Sequence, residues 1–120
     1  MPESSALLLI HHMANRDPRH PPGTLPALRV CLEAGARAVE VDISLLADNQ
    51  FALLHGPLLE RETNGSGPIR AFTAEQVREL RHVHAGQVTS VPIGFLPEAL
   101  ELLGQFPSTL ELQLDLKPDV

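Results

Sequence analysis

The 120-residue sequence holds no tryptophan, no tyrosine, four phenylalanines and one cysteine. Its core must therefore be aliphatic, drawn from a hydrophobic share of 43%. A lone Cys31 excludes an internal disulfide and leaves the redox compartment open. Nine Lys and Arg stand against fifteen Asp and Glu, a net charge of -6 with no basic cluster, so nucleic acid is not an expected partner. The N-terminal apolar run, Ala6 to Ile10, is too short for a membrane span, and Met1-Pro2-Glu3 carries no basic start. One domain is expected, cytoplasmic and without a transmembrane segment.

What is present centres on Ala38-Val39-Glu40-Val41-Asp42. Strand alternation puts Glu40 and Asp42 on one face and Val39, Val41 and Ile43 on the other. Asp48-Asn49 is a two-residue hairpin signal, both residue types tolerating positive φ. A turn centred there sets Asp42 opposite His55, so that two carboxylates and an imidazole converge on one face.

In chain order, Ala6 to Ile10 reads as a strand buried on both faces, ending at His11-His12. The proline-rich stretch from Asn15 to Gly23 is a loop. Thr24 caps a helix over 25–34, with Pro26 in its first turn and Gly35 past its end. The strand carrying Glu40 and Asp42 follows, giving a βαβ unit with parallel strands. From Gly56 to Ile69 the chain is polar and broken by glycine and proline, a long surface excursion. Thr73 opens a helix with the capping box Thr73-x-x-Gln76, and His82 and His84 trail it as surface loop residues. Val91-Pro92-Ile93-Gly94 reads as a connector, and a further helix spans 97–103. Over 109–117 alternation is strict: Leu110, Leu112, Leu114 and Leu116 on one face, Glu111, Gln113, Asp115 and Lys117 on the other.

Leucines outward and polar groups inward suit a parallel barrel wrapped in helices, with chemistry at the C-terminal strand ends. His12, Glu40 with Asp42, and Asp115 with Lys117 all fall at or near such ends. A whole barrel needs about 250 residues. The expected fold is thus α/β, the N-terminal half of a (β/α)8 TIM barrel, parallel strands with outer helices. Residues 1–120 then form the N-terminal part of a longer domain, or a half barrel that self-associates.

Taken together, Gly35-Ala36, Glu40-Val41-Asp42, His55, the run Arg61 to Gly67, Val91-Pro92 with Leu96-x-Glu98, and Asp115-Leu116-Lys117 resemble the glycerophosphodiester phosphodiesterase family. The resemblance implies a TIM barrel and a divalent metal, Mg²⁺ or Ca²⁺. It implies Glu40, Asp42 and Asp115 as metal ligands and His12 and His55 as the acid/base pair. Lys117 and Asn15 would be phosphate contacts. The implied substrate is a small phosphodiester, a glycerophosphodiester or a lysophospholipid-like molecule.

The sequence also departs from that pattern. His12-Met13-Ala14 stands where the family reads His-Arg-Gly, Gly56 replaces an aspartate, and Asp115 replaces a glutamate. His12-Met13-Ala14-Asn15, His55-Gly56-Pro57 and Asp115-Leu116-Lys117 are similar to sphingomyelinase D-type phospholipases, which keeps cleavage with cyclisation open beside hydrolysis. A non-catalytic barrel fragment is the reading from a different class.

The chemistry also follows from the residue types. A hard cation held by carboxylates neutralises charge building on phosphoryl oxygens. One imidazole takes a proton from the nucleophile while a second, protonated, supplies the leaving oxygen. His11 is a rival to His12 for one of those roles, Asp115 with Lys117 could form an internal ion pair, and Cys31 is expected to serve helix packing.

Overall fold

The computed structural model describes residues 10–11, 23–107, 109 and 111–116. Strand β1 (Ile10–His11) is followed by helix α1 (Leu25–Glu33) and strand β2 (Ala38–Leu45). Thr24 caps α1 by accepting the Ala27 N–H at 3.2 Å, Pro26 lies in the first turn, and Gly35 takes φ +85° just past the end. These signals act as the sequence reading expects.

Strands β1 and β2 pair in parallel, and strand β6 (Glu111–Leu116) joins the other side of β2, also in parallel. The buried face of β2 supplies Val39, Val41 and Ile43. Against it pack Leu28, Cys31 and Leu32 of α1, and Ala99 and Leu102 of helix α3 (Leu96–Leu103). Cys31 is wholly buried there, a packing residue. Each such leucine contributes about 2 kcal/mol by leaving water. In α3, Pro97 sits in the first turn, Glu98 accepts the Phe95 N–H at 2.9 Å, and Gly104 caps the end.

Three parallel strands are seen among the described residues, rather than half of an eight-strand ring, and the sheet does not close. The α/β character and the parallel strands with outer helices agree with the expected fold, while a barrel is not formed by these sheets. Much of the length goes into the stretch between β2 and α3, which builds a second core. Leu46, Leu54, Leu59, Ile69, Val77, Ile93 and Phe95 are buried together there. The excursion is thus less a polar surface loop than a folded layer, holding two short 3₁₀ turns (Leu59–Arg61, Ile69–Ala71), helix α2 (Ala74–Arg78) and a hairpin of β4 (Arg81–His84) with β5 (Gln87–Pro92). The Thr73/Gln76 capping box at α2 forms as expected.

Three local expectations are overturned. His82 is not a surface loop residue; it lies in β4 with 1% of its surface exposed, and His84 is half-buried in the same strand. Val91-Pro92 ends β5 instead of forming a connector. The hairpin after β2 is one residue out of the expected register. Ser44 pairs with Ala52 and Leu45 with Phe51, and strand β3 (Phe51–Ala52) ends there. The cause is a three-residue loop, Ala47-Asp48-Asn49, with Asn49 at φ +65° and the Leu46 N–H bonded to the Gln50 carbonyl. A turn followed by one left-handed residue is the next most favoured hairpin closure after the two-residue one.

Candidate metal centre

The polar face of β2 carries Glu40, Asp42 and Ser44, set by simple alternation. Parallel pairing with β6 puts Asp42 and Asp115 directly beside each other, and Glu40 beside Gln113. Side-by-side residues in a ladder point to the same face, so Asp115 joins the two β2 carboxylates. One ligand oxygen from each of Glu40, Asp42 and Asp115 lies within 4.8 Å of the others. Asp42 is buried at 4% exposure, whereas Glu40 and Asp115 are half-buried. Three oxygen donors with no sulfur or nitrogen among them match a hard divalent cation such as Mg²⁺ or Ca²⁺.

The expected cross-strand pairing of His55 with Asp42 does not form, because the β2/β3 ladder ends at Ala52. After β3 ends, Ser44 Oγ donates to the Leu54 carbonyl at 2.8 Å and ties the chain back to β2 one residue before His55. The His55 Nδ1 lies 3.0 Å from the Gly56 carbonyl. A carbonyl only accepts, so Nδ1 carries the hydrogen in this contact.

Glu62 is the residue that sequence reasoning passed over as a site member. Its Oε1 accepts the His55 main-chain N–H, and it interacts electrostatically with His55 and Asp42. Burial pushes its carboxyl above the ordinary range; the His55 N–H bond and the His55 charge oppose that rise, and Asp42 adds to it. A charge inside the turn-rich run Arg61 to Gly67, seven residues after a candidate histidine, was the available signal. The glycines of that run shape the loop, Gly67 at φ +107° donating its N–H to Glu60 Oε1.

His12, Asn15 and Lys117 lie outside the described residues. His11 is the register partner of Val39, a residue of the helix-covered face.

Residues 17–118 match the Glycerophosphoryl diester phosphodiesterase family. A glycerophosphodiester phosphodiesterase of Bacillus altitudinis is 30% identical over 103 residues, covering 84% of this chain and 42% of that protein. Glycerophosphodiester phosphodiesterase 1 of Rattus norvegicus is 40% identical over 70 residues, 57% of this chain and 21% of that protein. Among solved structures, an Oleispira antarctica phosphodiesterase in complex with the product sn-glycerol-3-phosphate aligns with TM-score 0.78 and 30% identity, over 91% of this chain and 44% of that one. A glycerophosphodiester phosphodiesterase of Agrobacterium tumefaciens aligns with TM-score 0.77 and 26% identity, over 91% and 46%. The chain thus spans less than half the length of these relatives. With the acidic face of β2 and β6, the caps and the matched span all agreeing, the chain belongs to the glycerophosphodiester phosphodiesterase family.

Proposed function

We propose that this chain carries the metal-binding and acid/base portion of a phosphodiesterase acting on glycerophosphodiesters. The observation that carries the reading is the meeting of Glu40, Asp42 and Asp115 within 4.8 Å on one sheet face. These carboxylates would hold a divalent cation, Mg²⁺ or Ca²⁺, which when bound neutralises charge on the phosphoryl oxygens. His55, with Nδ1 committed to the Gly56 carbonyl, presents Nε2 as one proton carrier. The family resemblance assigns His12 as the other. Lys117 and Asn15 are assigned to the phosphate, the lysine as a point charge. The product held by the Oleispira antarctica relative supports a glycerol phosphate ester as the substrate class.

Two measurements test the reading. Saturating Mg²⁺ or Ca²⁺ should raise the melting temperature, since a ligand at about a hundred times its Kd adds about 3 kcal/mol to the native state. Asp42→Asn should cancel that rise; an equal rise in both proteins would sink the ligand assignment. Phosphorus NMR of the products from a glycerophosphodiester should show a monoester, whereas a cyclic phosphate would establish the sphingomyelinase D-like course. Absence of any cation-dependent turnover would leave the non-catalytic fragment as the answer.

A further inference from the structure

His55 has a main-chain problem that the fold must solve. Ladder pairing with β2 stops at Ala52, so no strand partner is available for the His55 N–H. Ser44 secures the Leu54 carbonyl, but nothing in the hairpin secures the next amide. A part-buried N–H without an acceptor is costly and leaves its residue free to shift. The acceptor comes from Glu62, whose Oε1 lies 2.5 Å from the His55 nitrogen.

Glu62 is itself held firmly. Its carbonyl accepts the Val83 N–H at 2.8 Å, which fastens the segment to β4. The next residue, Thr63, is buried, donates its hydroxyl to the Leu59 carbonyl at 2.8 Å, and bridges to His82 in β4. The carboxylate therefore reaches the His55 amide from a turn braced on both sides, and Asp42 acts on it electrostatically. The His55 ring is braced separately, through Nδ1 on the Gly56 carbonyl.

We propose that Glu62 is the positioning residue for His55, its carboxylate taking the place of the missing strand partner and setting where the imidazole stands over the acidic face of β2. The catalytic meaning of that placement rests on the proposed function; the clamp itself does not. Placement errors of about 1 Å in a proton-transfer group can cost on the order of a hundredfold in rate.

The test compares Glu62→Gln, Glu62→Ala and Glu62→Asp with the unmodified protein. Gln keeps a carbonyl acceptor at the same reach, and Asp withdraws it by one methylene. Amide NMR of labelled protein reads the clamp whatever the activity. The His55 amide proton should lie far downfield and exchange slowly in the unmodified protein and in Glu62→Gln. It should move upfield and exchange faster in Glu62→Asp and Glu62→Ala. In cation-dependent glycerophosphodiester hydrolysis, Gln should stay within about threefold in kcat, while Asp and Ala should lose roughly thirtyfold or more with KM within about threefold. Should Ala fail to fold, Asp against Gln still decides the matter. Equal loss in Gln and Ala, or loss confined to KM, would overturn the clamp, as would an ordinary His55 amide in the unmodified protein. No turnover beside an intact amide signature would strike the proposed function and leave the clamp standing.

Discussion

Acidification should destabilise this protein through one buried imidazole, and replacing His82 should remove the effect. His82 is 1% exposed, its Nε2 has no hydrogen-bond partner among the described residues, and burial lowers its pKa from 6.5 to about 4. In the unfolded chain the ring titrates near its ordinary value, so between those two pH values the unfolded state binds the proton more readily. The stability tied to the neutral ring is complete above pH 6.5 and is lost progressively as pH falls towards the folded value of about 4. Integrating over that window gives a loss of about 2 kcal/mol between pH 7 and about pH 5, and about 3 kcal/mol by about pH 4. Urea denaturation of wild type and His82→Gln at both pH values isolates the term, because every other titrating group is common to both. Gln should flatten the pH dependence by about 2 kcal/mol over the upper interval. If the two proteins lose equal stability, or if NMR titration finds the ring ionising near 6.5, the reasoning from burial fails. Functional consequences would follow, because β4 is where the segment bearing Glu62 and Thr63 is fastened.

Two further substitutions probe how the site is supported. Ser44→Ala deletes the donor to the Leu54 carbonyl and should cost about 1–2 kcal/mol, read by chemical denaturation, with a drop in turnover because His55 is the next residue. In Gly94→Ala the new Cβ would stand 2.8 Å from Leu25 Cγ and 3.1 Å from Leu53 Cδ1. Overpacking at that junction of α1 and α3 should lower stability by about 1–3 kcal/mol, and an unchanged melting temperature would show that the Leu25 side chain gives way freely.

Much of the scaffold was legible because it rests on local chemistry. Thr24, Thr73, Gly35 and Gly104 mark helix ends by satisfying terminal amides and carbonyls or permitting the chain to turn, which neighbouring residues alone decide. The hairpin register departs from the expected one for an equally physical reason. Asp48-Asn49 tolerates either of two closures, and only the pairing that buries Leu46 and Leu54 in the second core selects the three-residue loop. The burial of His82 departs from the expected surface position, since a histidine between Arg81 and Val83 carries no sign of burial until β5 and the Thr63 segment flank it. The leucines of β6 illustrate the converse. Alternation assigned them a covered face, yet Leu114 is 44% and Leu116 59% exposed.

By itself, then, the order of residues determined which side chains share a strand face and where helices begin and stop, since a period of two and a cap act over a few bonds. The company those faces keep was decided only in three dimensions. Asp115 reaches Asp42 through a ladder register, and Glu62 reaches His55 through a turn braced on β4. Both depend on backbone groups far apart in the chain finding one another, which no local preference encodes.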